Sequence, residues 1–268
     1  MGRTVLITGA TRNTGLAIAE KFAQKGYHVV ITGRNESDNL RTQQALSQKY
    51  PAVQIRSTVL QLSDTESIAS CVAFVKENFG TLDALVLNAI HPAMNTNILN
   101  VTPEDYHRVM LPNLCGNFFL CQKASGIMPR GSAICIVSSV HANQCVPNRI
   151  LYSMTKAALN AMSRSMSIEL AHKGIRSNAV NAGAIWTERW ANQSEEETHR
   201  RRAQYPAGRE STPEEIANGV YFLCDPENPT VTGTELTIDS GVTTGLLSYD
   251  ANWHLHVGAQ AGGEHPRP

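Results

Sequence analysis

Tyr152 and Lys156 stand four residues apart in the stretch "LYSMTKAALNAMSRS", residues 151–165. On a helix that spacing puts both side chains on one face. A lone tyrosine has a pKa near 10 and exchanges protons poorly at neutral pH. An ammonium within about 5 Å favours the phenolate and brings the phenol toward general acid–base duty. Ser139 ends the apolar run "AICIVSS" upstream of this pair. Strand ends in open α/β sheets are where ligands bind, so its hydroxyl can polarise a carbonyl. These three residue types describe proton transfer at the oxygen of a ketone or alcohol.

A second candidate lies near the start, in "TGATRNTG", residues 8–15. It follows the apolar run Val5-Leu6-Ile7 and precedes Leu16-Ala17-Ile18-Ala19. Strand, polar turn and helix form the frame of a dinucleotide loop. Gly9 allows a tight turn, and Gly15 allows close helix–strand packing. Asn13 stands where a middle glycine is usual; asparagine is among the residues that best tolerate positive φ. The helix is expected to begin near Thr14, with free N–H groups and a positive dipole end that suit a pyrophosphate. After the second strand, "VVITGRN" offers Gly33 and Arg34 where an acid would bond the ribose 2′-OH of NAD. A guanidinium there binds a 2′-phosphate, and Arg12 can approach the same phosphate. The pair favours NADP(H) over NAD(H).

The elements that must position these residues alternate. Strands are predicted over 4–8, 28–32, 53–60, 84–88, 133–138, 177–182 and 234–239. Most read as continuous apolar runs, which suit parallel strands buried on both faces. Helices are predicted over about 14–25, 36–49, 65–79, 103–128, 152–172, 194–205 and 213–224. Thr102-Pro103 and Thr212-Pro213 mark two helix starts. The expected fold is α/β: a single Rossmann-type doubly wound domain over 1–247, with a seven-stranded parallel sheet flanked by helices. Residues 248–268 lose the periodicity and read as a tail in which His254 and His256 are exposed rather than metal ligands.

Lys+Arg and Asp+Glu both number 23 among 268 residues, so no nucleic-acid footprint is expected. No apolar run is long enough for a membrane span. No signal peptide pattern precedes the first strand, and the six cysteines lack any C-x-x-C pair. A cytoplasmic protein with reduced, mostly buried thiols is expected.

With Tyr152, Lys156, Ser139, the first loop and the C-terminal "IDSG" taken together, the chain resembles a classical short-chain dehydrogenase/reductase over roughly residues 3–245. The resemblance implies a fourth catalytic residue, Asn113, in "LPNLCGNFF". Pro112 before it should kink the helix and free a carbonyl to hold a relay water. It also implies that Thr11, Gln61, Leu62, Asn88, Ala89, Gly183, Ile185 and Thr187 line the cofactor. Gln61 replaces a usual acid, and Asp64 reads as a helix cap. The sequence departs from the family at Ile90 and Ala182, where glycine and proline are usual. The resemblance places a substrate pocket among 91–97, 140–149 and 184–206, with His91, His141, Asn143, Arg149, Trp186 and Trp190 as candidates. Residues 186–210 would form a lid whose helix pairs Glu196 with Arg200 and Glu197 with Arg201. The implied activity is hydride transfer between NADP(H) and a small polar, sugar-like or acidic, secondary alcohol or ketone. A 3-oxoacyl-thioester reductase and a non-catalytic cofactor sensor are the alternatives. A homotetramer or homodimer is implied as well.

Overall fold

The computed structural model describes residues 2–245, so the tail with its two histidines lies outside the described residues. Seven parallel strands form one sheet: β1 (Thr4–Thr8), β2 (His28–Gly33), β3 (Ile55–Val59), β4 (Ala84–Leu87), β5 (Ala133–Ser139), β6 (Arg176–Ala182) and β7 (Glu235–Ile238). Their order is β3-β2-β1-β4-β5-β6-β7. This is the doubly wound α/β sheet expected from the sequence. Every residue of β1, β4, β5 and β6 is buried, as unbroken apolar runs covered on both faces require. The winding reverses between β1 and β4, which opens a crevice at the carboxyl ends of those two strands.

Helices α1 (Asn13–Gln24), α2 (Glu36–Lys49) and α8 (Pro213–Cys224) cover one face through Ile18, Phe22, Leu46, Val220 and Leu223. Helices α3 (Thr65–Phe79), α5 (Asn117–Ala124) and α6 (Ile150–Glu169) cover the other through Ile68, Val75, Leu120 and Leu159. Two shorter helices are α4 (Pro103–Met110) and α7 (Glu195–Arg202). Thr102 and Thr212 close capping boxes before their prolines, and Asp64 caps α3 by accepting from the Glu66 N–H.

The predicted helix over 103–128 does not run unbroken. After α4 the chain makes a π-helical turn at Leu111–Gly116 before α5. Pro112 removes an amide donor there, and the widened turn absorbs the loss. Gly116 is required in it, because a Cβ would lie 1.9 Å from the Leu62 carbonyl oxygen. Four cysteines are buried, while Cys115 and Cys145 are exposed. Cys115 lies in the π turn.

Candidate active site

The loop from β1 to α1 crosses the crevice beside β4. Gly9 has φ +66° and Asn13 has φ +48°. Asn13 thus takes the left-handed conformation at the middle-glycine place, and α1 starts one residue before Thr14. A Cβ on Gly15 would lie 2.1 Å from the Gly9 carbonyl oxygen. The Asn88 side-chain amide donates to the Thr8 and Gly9 carbonyls at 3.0 and 2.9 Å. The N–H groups of Asn88 and Ala89 both donate to Thr8 Oγ1 at 2.9 Å. Asn88 therefore braces the loop, a role its expected place beside the cofactor did not reveal. The first turn of α1 carries no acidic residue and no side-chain cap, so its N–H groups suit an anion.

Arg12 and Arg34 are both exposed at the mouth of this crevice. The turn bearing Arg34 is fixed by the buried Asn39, whose amide donates to the Gly33 and Thr58 carbonyls at 3.2 and 3.1 Å. Thr11 packs its methyl toward Gly33 and accepts from Thr42 Oγ1. Gln61 is exposed and Leu62 buried against the π turn. Across the crevice, a Cβ on Gly183 would lie 2.7 Å from Asp239 Cα. Ile185 makes a single parallel bridge with Ser211. The Thr187 hydroxyl oxygen is buried without a hydrogen-bond partner. Buried hydroxyls are ordinarily paired, so an orphan here fits a site that a bound amide completes. The glycine cradle, the anion-ready helix end and this hydroxyl fit a dinucleotide.

The four residues expected to act on substrate sit at the ends of β5, α6 and the π turn. Ser139 is 5% exposed, and its Oγ accepts the His141 N–H at 3.2 Å. Lys156 is 3% exposed, with Nζ 5.6 Å from the Tyr152 ring centroid. Nζ donates to the Val137 carbonyl at 2.7 Å. Burial in the absence of a counter-charge lowers Lys156 to about 7, so the ammonium assumed from spacing is opposed by desolvation. Asn113 is fully buried and pairs twice with the main chain of His91: Oδ1 accepts at 2.6 Å and Nδ2 donates at 2.9 Å. The π turn delivers the expected distortion, but the Asn113 carbonyl accepts the Asn117 side-chain amide at 2.7 Å. The sequence expectation was a freed carbonyl near Asn113, and the Asn113 carbonyl itself is taken by this amide. Asn117 was missed, although a polar residue inside "CGNFFLC" was the signal for it; its Oδ1 is buried without a partner.

Segments 91–97 and 140–149 meet as expected. Thr96 N–H donates to the Asn148 carbonyl at 3.1 Å and Ile150 N–H to the Thr96 carbonyl at 3.2 Å. His141 lies edge-on to Tyr152 at 5.6 Å between centroids, and the Arg149 guanidinium carbon is 6.0 Å from the same ring. Burial lowers both His91 and His141, with Arg108 and Arg34 adding to the effect on His91 and Arg149 to that on His141. Asn143 and Trp186 are exposed rim residues. Trp190 is not an open pocket wall, since Arg201 stacks 4.2 Å from its ring.

The segment expected to form a lid departs from its expected pairing. Glu196 and Arg200 pair at 2.8 Å, but Glu197 is used in the capping box of Ser194. Arg201 and Arg202 instead close on Glu210 at 2.9 and 3.1 Å. Glu210 is 2% exposed. Burial alone would raise its carboxyl; the two arginines outweigh that and hold it at about 2. Salt bridges reaching eight and nine residues along the chain are invisible to an i,i+4 reading.

Fold and site together fit a dinucleotide-binding oxidoreductase scaffold that carries Ser139, Tyr152 and Lys156 at the candidate site. Residues 9–243 match the family described as Enoyl-(Acyl carrier protein) reductase. The chain is 31% identical over 239 residues to 3alpha-hydroxysteroid dehydrogenase of Mediterraneibacter gnavus, covering 88% of this chain and 95% of that one. It is 33% identical over 243 residues to the 3-oxoacyl-[acyl-carrier-protein] reductase FabG of Aquifex aeolicus, covering 90% and 97%. L-sorbose reductase from Gluconobacter frateurii, complexed with NADPH and L-sorbose, superposes with a TM-score of 0.85 at 28% identity, covering 91% and 98%. The chain belongs to the short-chain dehydrogenase/reductase family of oxidoreductases. Among the described residues no helix is long and apolar enough to cross a membrane.

Proposed function

We propose that the chain is an NADP(H)-dependent oxidoreductase that interconverts a secondary alcohol and a ketone on a small polar substrate. The observation that carries this reading is Lys156 Nζ lying 5.6 Å from the Tyr152 ring centroid, with Ser139 at the end of β5 on the same carboxyl side of the sheet as the loop shaped by Gly9, Asn13 and Gly15. NADP(H), when bound, supplies or accepts the hydride. Tyr152 gives a proton to the carbonyl oxygen during reduction, or takes it from the hydroxyl during oxidation. Ser139 orients that oxygen. Lys156 tunes Tyr152 and holds the nicotinamide ribose; a sugar hydroxyl adds a second polar partner to the Val137 carbonyl that its amine already meets. Asn113 acts by fixing the loop at His91 and the π turn beside α6. Arg12 and Arg34 hold the 2′-phosphate, and the NADPH bound to the L-sorbose reductase supports that choice. Thr187 pairs with the nicotinamide amide.

The FabG relative favours a second reading, reduction of a 3-oxoacyl thioester. The polar and basic walls near Tyr152 favour the compact substrate. NADPH oxidation measured across ketoses, oxo acids, hydroxysteroid ketones and 3-oxoacyl thioesters separates the two. Turnover of a compact ketone supports the first reading, and turnover of thioesters alone replaces it by the second.

A further inference from the structure

We infer that Arg149 is an anion anchor and that the substrate is a short oxo acid (in the reverse direction, hydroxy acid) bound by its carboxylate. The inference rests on the proposed oxidoreductase reading and narrows its substrate. Arg149 is held in place rather than waving in solvent. Asn148 before it has φ +60°, and Asn148 and Ile150 on either side are hydrogen-bonded to Thr96. This puts the guanidinium of the half-buried Arg149 over the Tyr152 ring, with its carbon 6.0 Å from the centroid. Among the described residues it has no carboxylate partner. Its hydrogen-bond contact is the thioether of Met94, a weak acceptor that neutralises nothing.

The surroundings offer it no acid. His141 and Lys156 also lie against Tyr152, and neither is a carboxylate. Segments 91–97 and 140–151 contain no aspartate or glutamate. A planar fork with five donors and no anion, beside the group that handles the reacting oxygen, complements a carboxylate close to a carbonyl. A neutral sugar or a steroid ketone would leave that charge without a counterpart.

The test compares a series of 2-, 3- and 4-oxo acids with their methyl esters, using wild type and R149Q at saturating NADPH. Wild type should prefer at least one acid over its ester. R149Q should lower that acid-to-ester ratio of kcat/KM by roughly 10- to 100-fold, mainly through KM. R149K, which keeps the charge and loses the fork, should fall between. In wild type, short unreactive carboxylates should inhibit competitively against the oxo acid, which reads the site without any variant. Reduction of neutral ketones with no preference for acids overturns the inference and leaves the oxidoreductase reading standing. Equal losses for acid and ester in R149Q also overturn it, because Arg149 would then act on Tyr152 alone. No NADPH oxidation with any carbonyl compound overturns the oxidoreductase reading itself.

Discussion

The Lys156 amine lies 2.7 Å from the Val137 carbonyl oxygen, inside the fold and 3% exposed. Its face of α6 is the one shared with Tyr152, and its burial is the cause of its lowered pKa. The lysine is therefore a site built for something polar to come to it.

That burial has a signature in stability. Lys156 titrates at about 7 in the fold against an ordinary 10.5. Between those values the unfolded chain holds a proton that the folded chain lacks, so raising the pH favours the fold. K156M removes the group. Urea unfolding of the cofactor-free protein at about pH 7.5 and 9.5 should show the wild type gaining about 2 kcal/mol over K156M across the interval. A pH-independent gap would mean that Lys156 stays protonated.

Asn13 at φ +48° makes a conformational argument testable. If its backbone is what the loop needs, N13G should bind NADPH within about threefold of wild type, while N13A costs about 1 kcal/mol of stability. Fluorescence titration and thermal unfolding read the two quantities. A large loss of affinity in N13G would show that the amide itself touches the cofactor.

Gly15 leaves no such latitude. Its Cβ would collide with the Gly9 carbonyl oxygen 2.1 Å away, so G15A must push α1 off the loop. A cost of about 3 kcal/mol with NADPH affinity reduced at least tenfold is expected. Wild-type affinity in G15A would show that the loop reshapes freely.

In the proposed reading cofactor choice rests on Arg34, presented by the turn that Asn39 ties to Gly33 and Thr58. R34D should lower the NADPH-to-NADH ratio of kcat/KM roughly 100-fold through loss of a charge-assisted contact. An unchanged ratio would remove Arg34 from the 2′-phosphate.

The sheet was legible because its strands are buried on both faces and read as continuous apolar runs such as "ALVLN" and "AICIVS". The caps at Thr102 and Thr212 were legible because Thr-Pro is local chemistry. What escaped was non-local or inserted. A π turn differs from an α-helix by one residue, and only Pro112 hinted at it. Asn88 and Asn113 spend their amides on main-chain carbonyls brought close by the fold, and Asn117 spends its own on the Asn113 carbonyl within the inserted turn. Arg201 left its sequence neighbour Glu197 for the buried Glu210, since a desolvated carboxylate outcompetes an exposed one for a guanidinium. The types and spacing of Ser139, Tyr152 and Lys156 were visible; the Val137 carbonyl that holds the lysine was not.

Tyr152 is the hinge of the whole account. The direct measurement is NADPH oxidation by Y152F on a carbonyl substrate that the wild type reduces, alongside the NADPH dissociation constant. The account predicts a kcat at least about 1000-fold lower with NADPH affinity within about threefold of wild type. A Y152F enzyme that turns over near the wild-type rate would contradict it.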